Sequence, residues 1–130
     1  MKNDISVETA VMERRHLAGS KDVSIHLSKR LGQESISEDD DYFGLKEMEQ
    51  NNRHKQFQNV DYGLEPNIKN SPGGLRDIHT VMWIALKRHK TTSKRELIKL
   101  GVLTKTESRL LASAEQFLRH TRFGLHLISK

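Results

Sequence analysis

The sequence predicts a mainly α-helical fold, a bundle of about five or six helices with one short extended segment near residues 64–69. Apolar residues recur at spacings of three and four over most of the 130 residues. Helix-capping residues precede several of these runs, and both prolines, Pro66 and Pro72, lie between runs. Because only 35% of the residues are hydrophobic, the core is thin, and we expect residues 1–130 to form a single helical domain.

Two helices are predicted at the start of the chain. Asp4 or Ser6 can cap the first helix, and Gly19 suits the position just after its end. Asp22 can cap a second, shorter helix, which Gly32 can terminate. An acidic linker should follow.

The third predicted helix runs from about Tyr42 to Gln58 and carries a charged stripe. Lys46, Glu49 and Arg53 recur at spacings of three and four, in line with Phe57. A continuous charged stripe is usually a solvated helix face, but the same spacing can line a polar site. Both interpretations stay open at this point.

Residues 59–75 cannot form one helix, because the two prolines interrupt them. Residues 64–69 alternate between polar and apolar, so Glu65 and Lys69 would share one face of a short strand. Proline in such a segment indicates an edge strand or a short extension. Residues 70–74 then read as a tight turn.

Three helices are predicted after this turn. The first, extending to about Lys90, has the widest apolar face of the chain. Capping-box patterns at Ser93/Glu96 and Thr104/Glu107 open a short and a long helix. No stop signal follows the long helix, so we expect a truncated helix. The predicted core between the helix after the turn and the long one comprises Leu75, Ile78, Met82, Ala85, Leu110, Ala114, Phe117 and Leu118.

The charge of the chain is uneven. Residues 84–130 carry 11 basic and 3 acidic side chains, whereas residues 1–83 carry 11 basic and 14 acidic ones. The basic half is either a solvated helix face or a surface for a phosphate-bearing or acidic partner. The absence of cysteine excludes a disulfide scaffold and a thiolate zinc site. Neither a membrane span nor a signal peptide is predicted.

The segment from Asn70 to Asp77, NSPGGLRD, carries the most chemical information. Two glycines before a helix let backbone N–H groups converge on an anion, and Lys69 and Arg76 can add full charges. The alternative is a turn that only reverses the chain direction. Known phosphate-loop patterns and the H-E-x-x-H zinc motif are absent.

The longer segment that contains this turn, LEPNIKNSPGGLRDIHT at residues 64–80, with Trp83 after it, resembles the bifunctional PII uridylyltransferase/uridylyl-removing enzymes of bacterial nitrogen regulation. Residues 12–19, 46–54 and 117–127 resemble neighbouring helices of the same family. The resemblance covers essentially the whole chain.

The resemblance implies a function as part of a larger enzyme. Enzymes of this family transfer UMP from UTP to a tyrosine of the PII signalling protein with Mg²⁺, remove it in an HD domain and sense glutamine through ACT domains. The nucleotidyltransferase motif, which should lie upstream, and the HD and ACT sequences are absent from these 130 residues. The chain is therefore expected to be the helical segment that follows the nucleotidyltransferase core, cytoplasmic and inactive alone.

The same resemblance implies roles for six residues. Glu65 is the candidate catalytic acid, by analogy with a third acidic residue on a strand beside the catalytic pair. No metal ligand is assigned within this chain. The candidate nucleotide-binding residues are Arg53, Lys69, Gly73, Gly74 and Arg76.

A second hypothesis is a free-standing basic helical module that binds nucleic acid or an acidic protein. Nucleic-acid binding favours aromatic residues interleaved with basic ones. Residues 84–130 contain only Phe117 and Phe123, both at core-like spacing, which makes nucleic acid an unlikely partner. A Gly-Ser plus Asp-x-Asp strand encoded just before Met1 would decide for the enzyme segment.

Overall fold

Six α-helices make up most of the chain in the computed structural model, which describes residues 5–33, 39–58 and 67–129. Within these three ranges no strand occurs, which confirms the mainly α class. The helices are α1 (Ile5–Met12), α2 (Lys21–Gln33), α3 (Asp39–Gln58), α4 (Leu75–His89), α5 (Lys94–Lys99) and α6 (Lys105–Ile128).

Helix α4 lies at the centre and packs against α1, α3 and α6. Four of its apolar residues are buried: Leu75, Ile78, Trp83 and Ala85. This burial confirms that the helix after the turn forms the core. Because the preceding turn leads directly into α4, the buried position of α4 also fixes the position of that turn.

Helix α1 is shorter than predicted and faces the core with polar side chains. It ends at Met12 rather than near Gly19, and its buried residues are Glu8 and Thr9. The carboxylate of Glu8 lies 2.7 Å from Nζ of Lys87 on α4. Gly19 has a φ of +95° in the segment that leads to α2, a backbone conformation that suits glycine.

A buried polar layer joins α1, α3 and α4. Tyr42 is almost completely buried, and its hydroxyl lies 3.1 Å from Oγ1 of Thr9. Burial raises the pKa of the Tyr42 hydroxyl. Nζ of Lys87 lies 5.5 Å from the centre of the Tyr42 ring. Buried charges of this kind hold a helix in one orientation, because moving away would leave an unpaired charge in the core.

The charged stripe of α3 faces inward at Lys46 and Arg53, so the interpretation as a solvated helix face is wrong there. Lys46 is only 2% exposed, and its Nζ lies 2.7 Å from the Glu49 carboxylate and 4.5 Å from the centre of the Trp83 ring. The Arg53 side chain is 12% exposed. Cation–π contact with Trp83 compensates Lys46 for part of its lost hydration.

Residues 67–70 form a turn, not the second half of a strand. Oδ1 of Asn67 accepts hydrogen bonds from the backbone N–H groups of Lys69 (3.2 Å) and Asn70 (2.9 Å). These local hydrogen bonds turn the chain between residues 67 and 70 and disfavour an extended conformation there. The extended segment predicted near 64–69 is therefore wrong from Asn67 onward, and residues 64–66, including Glu65, lie outside the described residues.

Both predicted helix starts after α4 are found. The Thr104 side chain and Glu107 exchange hydrogen bonds with each other's backbone N–H groups, which is a complete capping box. Ser93 accepts a hydrogen bond from the Glu96 N–H, but the Glu96 carboxylate bonds to the hydroxyl of Thr91 instead of returning to Ser93.

Helix α6 is rotated relative to the prediction. Leu110 and Phe117 are 65% and 69% exposed, and Ala114 is exposed too. The neighbouring stripe, one residue further along, contains the less exposed Leu111, Glu115 and Leu118. Glu115 accepts a hydrogen bond from Lys94 of α5 at 2.9 Å. That ion pair favours the more polar stripe on the inner side, so the predicted packing of Leu110, Ala114 and Phe117 is wrong.

The remaining predicted core residues are at least half-buried. Leu75, Ile78 and Ala85 are buried, while Met82 and Leu118 are intermediate. Among the described helices, none is both long enough and apolar enough to cross a bilayer.

Candidate functional site: the cleft beside the Pro-Gly-Gly turn

The turn that leads into α4 is closed by its own backbone. The N–H groups of Leu75 and Arg76 donate to the carbonyls of Ile68 (3.0 Å) and Lys69 (2.8 Å), and that of Gly74 donates to Ser71 (2.9 Å). These bonds fold residues 67–74 back against the first turn of α4. The turn thereby holds Arg76 in a fixed place at the start of the helix.

Both glycines serve the shape of this turn. Gly73 has a φ of +76°, and a Cβ atom on Gly74 would lie only 2.8 Å from the carbonyl oxygen of Ile68. Their N–H groups are occupied, since Gly73 donates to Asp77 Oδ2 at 2.8 Å and Gly74 donates within the turn. The predicted cradle of free N–H groups at Gly73 and Gly74 is therefore not present. The structure gives these residues a shaping role.

Asp77 is the hub that ties α3 to the turn. Its carboxylate accepts hydrogen bonds from Arg53 Nη2 (2.5 Å) and Gln50 Nε2 (3.1 Å), besides that from Gly73. Nε2 of His54 lies 3.0 Å away. Burial alone would raise the pKa of Asp77, but the hydrogen bonds from Arg53, Gly73, His54 and Gln50 outweigh burial and lower it to about 2.

Arg53 spans the gap between α3 and the turn. Its Nη1 donates to the carbonyl oxygen of Asn70 at 2.8 Å, while Nη2 binds Asp77. Nε is buried and has no hydrogen-bond partner among the described residues. Two of the five guanidinium N–H donors are thus bound within the fold, and the positive charge contributes to the potential of the adjacent cleft.

Arg76 differs from Arg53 in what its guanidinium contacts. The guanidinium carbon of Arg76 lies 5.3 Å from the centre of the Trp83 ring, a cation–π distance. Within the described ranges its side chain has neither a hydrogen bond nor an ion pair. Stacking on Trp83 orients the guanidinium plane while its donors stay available for a ligand.

A cleft of about 530 Å³ lies beside these groups, between α1, α3 and the turn. It combines two cations, a single carboxylate, three side-chain amides, a hydroxyl and an aromatic ring. Arginine forks can bind phosphate oxygens, amides can bind the polar edge of a base, and a ring can stack on one. The residues that line the cleft are Ser6, Glu49, Asn52, Arg53, Gln56, Phe57, Asn70 and Arg76.

The structure brings some predicted site residues together and separates another. Arg53 and Arg76 share the cleft, and Gly73 and Gly74 form the adjacent turn. Lys69 instead lines a different groove, with α6. Glu65 lies outside the described residues. A larger cleft, about 650 Å³, is lined by residues between Met12 and Ser28 and contains none of these groups.

Most of the residues that hold the site in place were not predicted from the sequence. Gln50 and His54 bind Asp77, and Trp83 orients Arg76. The signal that could have revealed them is the spacing of polar residues along α3, because Gln50, Arg53, His54 and Phe57 lie on one helical face at spacings of three and four. Spacing along the helix does not show which residues of other helices they contact, because those contacts depend on the tertiary fold.

The donor set does not suit a resident magnesium ion. Among the residues the structure describes, no three histidine or acidic side chains cluster closely enough to hold a metal. Glu49 is the one carboxylate among the described residues that line the cleft, and it is already paired with Lys46. Mg²⁺ prefers octahedral oxygen ligands, which these residues do not supply.

Comparison with known proteins identifies the class of this segment. The family model for GlnD PII-uridylyltransferase matches residues 42–130, which include α3 from Tyr42 onward, the turn and α4 to α6. The chain therefore belongs to the GlnD PII-uridylyltransferase family.

Curated relatives give the same result over a longer stretch. The chain is 40% identical over 126 residues to the bifunctional uridylyltransferase/uridylyl-removing enzyme of Aliivibrio fischeri strain MJ11, covering 97% of this chain and 14% of that protein. Identity to the enzyme of the same name from Pseudomonas fluorescens strain Pf-5 is 40% over 130 residues, with coverage of 97% and 14%. The chain thus spans about one seventh of these relatives. No solved structure matches it.

Proposed function

We propose that this chain is the helical segment of a [protein-PII] uridylyltransferase and that its cleft contacts the phosphates of UTP. In the complete enzyme, UMP would pass from UTP to a tyrosine of the PII protein, in nitrogen regulation in the cytoplasm. Mg²⁺ would be held by carboxylates outside the described residues. The proposal rests on family membership and on one observation: the guanidinium of Arg76 lines a polar cleft and, within the described residues, has neither a hydrogen bond nor an ion pair.

The contacts around Arg76 suit this role. Phosphoryl-type transfer depends chiefly on positioning and on neutralising charge. Trp83 orients Arg76, and Asp77 anchors the turn from which α4 starts. Arg53 adds charge to the cleft wall while it stays bound to Asn70 and Asp77. In this proposal Arg76 touches phosphate and Arg53 positions the site.

Titration of the 130-residue chain with UTP tests the proposal. We expect saturable changes in the backbone amide NMR signals of Asn52, Gln56, Asn70 and Arg76. Arg76→Gln should weaken UTP binding about tenfold, the size of one charge-assisted hydrogen bond. With UTP, Mg²⁺ and PII present, the same chain should transfer no UMP above background.

Arg88→Gln is the matched control, because Arg88 is exposed on the same helix and does not line the cleft. Equal losses in the two variants would mean diffuse charge attraction and would contradict the proposal. UMP transfer by the isolated chain would show that catalytic groups lie within these residues.

The second candidate, a basic binding module, makes a different prediction. Residues 84–130 would then bind single-stranded nucleic acid or an acidic protein, with a steep dependence on salt concentration. Titration with an oligonucleotide in place of UTP separates the two functions. Signal changes confined to α5 and α6 would favour the module.

A further inference from the structure

A second groove adjoins the same turn, on the side of α6. Its volume is about 420 Å³, and its walls come from the turn 67–70 and from the last two turns of α6. Lys69 extends from the first wall, and Arg122 and His126 from the second. The sequence separates these walls by about fifty residues, so only the fold brings the three basic side chains together.

In the described part of the chain, no acidic side chain lines this groove to balance its positive charge. The residues that line the groove include neither aspartate nor glutamate. Glu115, the acidic residue of α6 nearest in sequence to Arg122, is already shared by Lys94 (2.9 Å) and Arg119 (2.8 Å). In the described parts of the chain, neither Lys69 nor Arg122 forms an ion pair. Positive charge in a concave site with low-dielectric walls attracts an anion more strongly than the same charge on a convex surface.

Both walls of the groove are held by hydrogen bonds. Asn67 Oδ1 accepts two backbone N–H groups of the turn, and the Asn70 carbonyl accepts from Arg53. A regular helix carries Arg122 and His126 one turn apart on one face. An anion that entered the groove would therefore need little backbone rearrangement, which lowers the entropic cost of binding.

We propose that Lys69, Arg122 and His126 form a second anion site that binds a phosphate group, separate from the cleft of Arg53 and Arg76. A phosphate offers several acceptor oxygens to donors on opposite walls, whereas a carboxylate offers two in one plane. Among the described residues, no phenylalanine, tyrosine or tryptophan lines the groove for base stacking. This inference does not depend on UTP binding in the cleft.

Inorganic phosphate titrated into the 130-residue chain at constant ionic strength tests this site. We expect saturable changes in the NMR signals of Lys69, Arg122 and His126. Arg122→Gln and Lys69→Gln should each raise the dissociation constant for phosphate about tenfold. Arg109→Gln removes an equal charge from the exposed surface of the same helix and should leave the constant unchanged.

Three results would overturn the proposal. They are an absence of saturation, an equal loss of affinity in Arg109→Gln, and a loss in Arg76→Gln without one in Arg122→Gln. Circular dichroism of each variant verifies the fold. A competition experiment in Arg76→Gln identifies the source of the phosphate. Displacement of bound phosphate by UTP indicates that the nucleotide supplies it. An absence of displacement indicates another phosphorylated ligand.

Discussion

Asp77→Ala is expected to lower the free energy of unfolding by about 3–4 kcal/mol at pH 7, the usual cost of leaving one partner of a buried ion pair alone. The change removes the acceptor for Arg53, Gln50, His54 and the Gly73 N–H at once. Urea unfolding followed by circular dichroism at 222 nm measures the loss. Asp41→Ala, at an exposed position of α3, should change stability by less than about 0.5 kcal/mol.

The pH dependence of stability gives an independent test of the same contact. The pKa of Asp77 is lowered to about 2 from its ordinary value of 3.8. A carboxylate with a lowered pKa stabilises the fold fully above about pH 4, and this contribution is lost progressively as the pH falls toward 2. The stability difference between the wild type and Asp77→Asn should therefore shrink by about 1 kcal/mol between pH 7 and pH 3. A stability difference that stays constant with pH would contradict the role of the Asp77 carboxylate in binding Arg53 and the turn.

Arg76→Gln is expected to have the largest effect on activity. In the complete enzyme that contains this segment, we expect kcat for uridylyl transfer to fall about 10²–10³-fold, the effect of losing one preorganised donor in a transition state. If the proposed function is correct, removal of UMP from PII should persist, because the family resemblance implies a separate HD domain for that reaction. Glu65→Gln should show the same split if Glu65 is the third acidic residue.

Arg88→Gln should preserve both activities, and the melting temperature of each variant monitors folding. A parallel loss of transfer, removal and stability in Arg76→Gln would mean that the residue holds the fold. Unchanged transfer would remove Arg76 from the site altogether.

The sequence predicts the class and the central helix of this fold because both depend on local patterns. The apolar periodicity of α4 and the capping box at Thr104 and Glu107 are local signals, and both are found as expected. The rotation of α6 is not local. Two stripes one residue apart, one with Leu110 and Phe117 and the other with Leu111 and Glu115, compete for the inner side, and the ion pair with Lys94 favours the second.

The residues of the candidate site are likewise predictable only where local patterns are sufficient. Arg53 and Arg76 could be selected from motif and charge, and they do meet at one cleft. The alternating pattern of residues 64–69 predicts a strand that would place Lys69 beside them, but hydrogen bonds to the Asn67 side chain turn the chain, and Lys69 lies in the other groove. Local patterns do not select Gln50 and His54, because both bind Asp77 of α4, which lies 27 and 23 residues away in sequence. Trp83 contacts Lys46 of α3, which lies 37 residues away.

The most direct measurement is a structure of the complete enzyme with a non-hydrolysable UTP analogue. We expect the guanidinium of Arg76 to lie within about 2.7–3.2 Å of a phosphate oxygen and to keep its contact with Trp83, while Arg53 stays bound to Asp77. An analogue held elsewhere, with Arg76 facing solvent or a neighbouring domain, would contradict it.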